Sequence, residues 1–271
     1  MISFAKRRFY ASATLVVCIA LAVLADYGLR QSLRPAAICS GVLLFAVILL
    51  LACFNMRKRL TFLPTLSAST WMQIHVYVGW FSIAAFLIHA GVHQTQGTLE
   101  LALAILFWLV ALSGVWGLYM TRAFPAQLRM EGENVIFERI PSMRARLRRQ
   151  SEEVIMESIE KTESTALADI YEKRIRDFFD GPRDILSHAL GSRKAPHTFL
   201  AEIEDTYRYL SEDERAFMAT LTDHVRIKQN LDYQWVRQGM LKLWLFIHIP
   251  LTYGLILTAA AHGLIAWRFA G

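Results

Sequence analysis

The stretch Trp71–Val92, WMQIHVYVGWFSIAAFLIHAGV, carries His75 and His89, 14 residues apart in a run long enough to cross a bilayer. A second stretch, Met240–Trp267, MLKLWLFIHIPLTYGLILTAAAHGLIAW, carries His248 and His262 at the same separation. Fourteen steps along an α-helix return a side chain to within about 40° of its starting azimuth and advance it by about 21 Å. Each run therefore predicts a helix with an imidazole near either side of a membrane, both on one face.

The two runs also resemble each other locally. Both read W-x-x-I-H, through Trp71, Ile74 and His75 in one and Trp244, Ile247 and His248 in the other, and in both the second histidine is soon followed by glycine, Gly91 or Gly263. Gly79 and Gly254, inside the runs, would let a flat ring system lie close to the backbone. One histidine in an apolar helix is ordinarily a satisfied core residue. Ionisable groups at membrane depth cost a few kcal/mol each, however, and two pairs at one spacing are hard to attribute to chance. Two such helices side by side would hold two haems, one above the other, each iron gripped by one histidine from each helix.

Composition is consistent with this. The chain of 271 residues is 55% hydrophobic and only 19% charged, the profile of an integral membrane protein with one polar segment. Its formal charge of +6 does not point to nucleic acid, because much of the basic excess flanks the apolar runs. Cys18, Cys39 and Cys53 all fall in apolar runs and read as small buried hydrophobes. Without C-x-x-C-H or C-x-x-C, neither covalent haem attachment nor iron–sulfur ligation is indicated, so haem would be held non-covalently, as b-type haem is.

Charge flanks set the topology. Lys6, Arg7 and Arg8 precede an apolar run over 9–27, which could be a secretory signal cleaved after Ala25 but is close to span length and is read here as a retained helix. A second run covers 36–54 and leads to Arg57-Lys58-Arg59. The positive-inside rule places both basic clusters in the cytoplasm, with two crossings between them. The third span, 71–92, then runs outward and the fourth, 98–121, returns to Arg122. Residues 122–238 become a cytoplasmic insert, and a fifth span in 239–271 runs outward to Arg268. Spans three and five come out parallel, which levels His75 with His248 and His89 with His262.

In the fourth span Ser113, Gly114 and Gly117 allow close helix packing, and Trp108, Trp116 and Tyr119 are pocket-lining or interfacial aromatics. Pro250 would loosen the helix after His248. In the insert, a basic run from Arg144 to Arg149 reads as a solvated helix face, helical periodicity reaches about Phe179, and Gly181-Pro182 breaks it. Ser211-Glu212-Asp213-Glu214 predicts a capping box opening a helix that continues through Trp235 into the membrane. The insert has no G-x-G-x-x-G and no P-loop, and His188, His197 and His224 lack metal-ligand spacing. A chain with electron-carrier ligands and no hydride-accepting domain needs a partner to load it.

The two His-x13-His pairs on parallel helices resemble those of di-haem membrane cytochromes b, both the cytochrome bc1-type b subunit and the ferric reductase and NADPH oxidase transmembrane domain. Placement on spans three and five is more similar to the ferric reductase type. The resemblance covers roughly residues 36–121 and 240–267. It implies that His75 and His248 ligate an inner haem b and His89 and His262 an outer one. His93, one turn beyond His89, is a secondary candidate, as a ligand, a propionate partner or part of a quinone or proton path. Arg57, Lys58, Arg59, Arg122 and Arg237 at the inner side, and Arg268 at the outer, are candidates to neutralise propionates. The sequence lacks the P-E-W-Y tetrapeptide of the bc1-type subunit and, within these 271 residues, the flavin and nicotinamide domain of the reductases.

The expected fold is thus an all-α membrane bundle of about five transmembrane helices, residues 1–121 supplying the first four and 239–271 the fifth, with a helical insert over 122–238. The expected location is a bacterial cytoplasmic membrane. The expected function is electron carriage across the bilayer between the quinone pool or redox partners, such as a flavoprotein, an iron–sulfur protein or a c-type cytochrome. A self-contained quinol or metal-ion reductase and a haem-free membrane anchor are the alternatives.

Overall fold

A computed structural model describes residues 4–32, 36–54, 67–91, 97–130, 135–191 and 194–269, the side chains of 4, 125–130 and 194–198 excepted. Every regular element among them is helical. Four long helices come first or last: α1 (Phe4–Gln31), α3 (Ala68–Ala90), α4 (Thr98–Met130) and α9 (Glu212–Phe269). Each contains a stretch long and apolar enough to cross a membrane, which suggests a membrane protein. Their Leu, Ile, Val and Ala side chains suit lipid, and a helix satisfies its own backbone where water is absent. The apolar helix α2 (Ala36–Ala52) has 17 residues and reaches about 25 Å, short of a hydrocarbon core of about 30 Å.

The chain divides into two compact units. One comprises Met1–Tyr119 and Leu245–Gly271. In it α3 lies closely against α1 and α2. Leu44 and Ile48 of α2, Ala85 and Phe86 of α3, Phe107 of α4 and Leu255 of α9 share one apolar cluster, in which Phe86 and Phe107 stack with centroids 4.1 Å apart. Ser67 caps α3 by accepting from the Thr70 amide. Gly91 ends it at φ 68°, a left-handed backbone that glycine takes without penalty. The glycines that follow the two second histidines therefore differ in role, since Gly263 lies inside α9.

The other unit is Met120–Trp244. Its core gathers Leu147 and Ile155 of α5 (Ile140–Thr162), Leu167 of α6 (Ala166–Ile170), Ile203 of α8 (Lys194–Thr206), and Met218, Leu221 and Val225 of α9, around Phe178 and Phe179. The predicted run to Phe179 is interrupted: α5 stops at Glu163 (φ 54°), and α6, a wide π-helical turn over Tyr171–Ile175 and a tighter 3-10 turn over Arg176–Asp180 carry the chain to Gly181, which is extended. The short helix α7 (Ile185–Leu190) follows. The capping box forms as expected, the Ser211 hydroxyl accepting from the Glu214 amide at 3.3 Å and the Glu214 carboxylate from the Ser211 amide at 2.9 Å. From there α9 runs for 58 residues, and its stretch 243–267 contains no Asp, Glu, Lys or Arg.

Two expectations are corrected. Arg144 does not sit on a solvated face: it is 8% exposed and donates to the buried Asp232 carboxylate at 3.2 Å. The same carboxylate takes the Lys228 ammonium at 2.5 Å and the Arg183 amide at 3.1 Å. The cysteines are also not buried, and all three are exposed on helix surfaces, as suits weakly polar thiols in helices that lipid would cover.

Candidate functional site

The four histidines of the apolar helices fall into two neighbouring pairs within the first unit. His248 has His75 within electrostatic reach. His89 has His262, together with the carboxylates of Asp26 on α1 and Glu100 on α4. Two such pairings are possible only if α3 and the apolar part of α9 run in the same direction. The two levels lie about 21 Å apart along either helix, and the shared cluster of Ala85, Phe107 and Leu255 falls between them. All four rings are half-buried, and no hydrogen bond links the two rings of either pair.

Neighbouring helices reach three of these rings. The Ser40 hydroxyl of α2 lies 3.1 Å from His89 Nδ1, and a Cβ on Gly41 would come within 2.9 Å of the Cε1 of the same ring. At the other end of α2, the Leu51 carbonyl lies beside the His75 ring and the Phe54 ring is 4.8 Å from it, centroid to centroid. His75 Nδ1 is buried and makes no hydrogen bond. On α4 the Ser113 hydroxyl is 2.6 Å from His248 Nδ1, and a Cβ on Gly114 would be 3.7 Å from His248 Cε1. The Trp71 indole nitrogen, one turn before His75, is also buried and unpartnered.

The remaining candidates are less involved. His93 and the cluster Arg57-Lys58-Arg59 lie outside the described residues. Arg122 and Arg268 are exposed. Arg237 belongs to the second unit, where the residue is 4% exposed, its guanidinium lies over the Phe124 ring at 4.3 Å and its Nε lacks a hydrogen bond. Trp108 packs edge-on against Phe86 and Phe107, and Trp116 lies 5.5 Å from Tyr119, all three residues outward-facing. A Cβ on Gly79, Gly254 or Gly263 would meet no atom within 4 Å, so each has room beside it.

Of the other histidines, His188 is buried edge-on to Tyr233, and the His197 side chain is not described. His224 takes its Nδ1 contact from Ser151 at 2.9 Å, and burial holds its imidazole below the usual range. Burial likewise lowers Lys228, opposed by the adjacent Asp232, and pushes the Tyr171 hydroxyl up to about 12. Among the described residues no three His, Cys, Asp or Glu side chains converge on a common point, as a bare ion would require.

Sequence reading alone misses Ser40 and Gly41, and takes Ser113 and Gly114 only for packing. The available signal is the dipeptide Ser-Gly, which occurs twice in the chain, each time followed by valine and each time on a helix that touches a paired histidine. No family model, curated protein or solved structure matches the chain.

Proposed function

We propose that this protein is a di-haem membrane cytochrome b, carrying electrons across the bilayer between the quinone pool or redox partner proteins on its two sides. The observation that carries the reading is the pairing of His75 with His248 and of His89 with His262. Each pair offers the two nitrogen donors that a haem requires. The residues present fit such a group in three further respects. His75 Nδ1 and Trp71 Nε1 are buried polar atoms with no protein partner. Gly79 and Gly254 leave space beside α3 and α9. And α3 meets α9 through the side chains of a shared apolar cluster, whereas it lies closely against α1 and α2.

On this reading α1, α2 and α3, which lie against one another, join α4 and the apolar part of α9 for about five crossings in all. A haem held by His75 and His248, or by His89 and His262, would supply one-electron transfer. The protein's part is to present the imidazoles, to keep water from the space between the two levels with Ala85, Phe107 and Leu255, and to hold the rings in orientation. A low-dielectric gap of this kind insulates everything except the electron path.

The test is a reduced-minus-oxidised spectrum with haem quantitation on protein purified from a haem-replete membrane. Non-covalent b-type haem at two per chain is expected, falling to one when His75 and His248 are both replaced by Ala. Protein that is folded and free of haem refutes the reading.

A further inference from the structure

Resting on the di-haem reading, we propose that Ser40-Gly41 and Ser113-Gly114 are positioning pairs that fix the tautomer and ring placement of His89 and His248, one at each level. The Ser40 hydroxyl lies 3.1 Å from the Ala37 carbonyl and 3.1 Å from His89 Nδ1. A carbonyl only accepts, so the hydroxyl proton goes to Ala37 and the serine oxygen is left as an acceptor. His89 Nδ1 then carries the ring proton, and the lone pair resides on Nε2. Ser113 repeats the arrangement, 2.8 Å from the Val110 carbonyl and 2.6 Å from His248 Nδ1. A second partner that fixes which ring nitrogen is free to ligate is a recurrent feature of metal-binding histidines.

The glycine beside each serine supplies the room. The backbone of α2 comes so close to His89 that a Cβ on Gly41 would lie 2.9 Å from Cε1, whereas at Gly114 the corresponding distance to His248 is 3.7 Å. A serine behind a histidine is not diagnostic in itself. In the second unit Ser151 bonds the Leu147 carbonyl and His224 Nδ1, both at 2.9 Å, yet Ser151 is followed by Glu152. The Ser-Gly step is found only where the ring has a histidine neighbour. At each level it holds one ring, His89 or His248, while no serine contact is made to His75 or His262.

A hydrogen bond from Nδ1–H to an acceptor makes Nε2 a stronger donor and favours the oxidised metal. Removing the acceptor shifts that site toward reduction and leaves the other level unchanged. Redox titration of purified Ser113→Ala and Ser40→Ala, each beside its Ser→Thr counterpart, tests this in the full-length protein. For Ser113→Ala the oxidation equilibrium of the haem that is lost in the His75/His248 double variant should move at least threefold toward the reduced form, about 28 mV at about 59 mV per decade. Ser40→Ala should move only the other haem, and the threonine variants, which keep a hydroxyl, should stay near the native potentials. If an alanine variant sheds its haem, retention by the threonine variant supports the proposal and equal loss overturns it. Both haems present at unchanged potentials, or both shifted together by one substitution, overturns the proposal and leaves the di-haem reading standing. Absence of haem from the native protein overturns both.

Discussion

Gly41→Ala is a small substitution with a one-sided expected effect. Its methyl carbon would lie 2.9 Å from His89 Cε1, 3.4 Å from Nδ1 and 3.5 Å from Nε2. Carbon–carbon contact becomes favourable near 3.5 Å, so the ring would have to retreat by about 0.6 Å. Metal–ligand distances tolerate about 0.2 Å, and the Ser40 hydroxyl 3.1 Å from Nδ1 opposes the retreat. His89 would have to lose its serine contact or its place as a ligand. On the di-haem reading, haem affinity at the His89–His262 level should fall by about 10–100-fold, the range typical when the support behind a ligand is disturbed. The His75–His248 level, about 21 Å away along the helix, should keep its haem. Gly114→Ala is the internal control, because its methyl would meet His248 at 3.7 Å, an ordinary contact. Haem per chain and the two potentials, measured on both variants in detergent, give the answer. Equal loss in the two variants, or a native outer site in Gly41→Ala, would refute the steric reasoning.

The other expectations concern both units. Asp232→Ala leaves Lys228 and Arg144, 0% and 8% exposed, without their shared anion; removing one partner of a buried ion pair costs about 3–5 kcal/mol, so thermal unfolding of the full-length protein should show a large drop that Asp232→Ala with Lys228→Met partly restores. Ser211→Ala removes the cap of α9 and should cost about 1 kcal/mol, read in the same melts. Burial holds His224 below its ordinary value of 6.5. The unfolded chain therefore binds more protons on acidification, and the stability that His224 contributes is complete above pH 6.5 and lost as pH falls through the lower, folded value; a His224→Gln variant should show a flatter stability profile below pH 6.5.

The helices that carry the four histidines were legible because their signal is periodic. The interval of 14 residues fixes both azimuth and rise, and the rows of basic residues imply a direction for each run, so the neighbours of His75 and His89 could be named before any contact was seen. The capping box at Ser211 and Glu214 was legible for the same reason, its four residues being adjacent in the chain. The supports behind the rings were not. Ser40 meets His89 across 49 residues and Ser113 meets His248 across 135, and no local pattern says which helices will adjoin. Arg144 was misplaced because a run of basic residues looks like a surface; its burial depends on Asp232, 88 residues away. The length of α2 was overestimated because Cys53 and Phe54 remain apolar after the α-helix has given way to a tighter turn.

Histidines at matched depths on adjacent helices do not by themselves make a binding site, since two neutral imidazoles in an apolar setting would gain by hydrogen-bonding to each other. Neither pair does so here. Two of the ring nitrogens are already engaged: Nδ1 of His89 and Nδ1 of His248 face serines on α2 and α4. At the other level of α3, the buried Nδ1 of His75 makes no hydrogen bond, and the Phe54 ring lies 4.8 Å from the imidazole, centroid to centroid. A buried polar nitrogen without a partner costs about 1–3 kcal/mol, and a fold carries that penalty where something else supplies the bond.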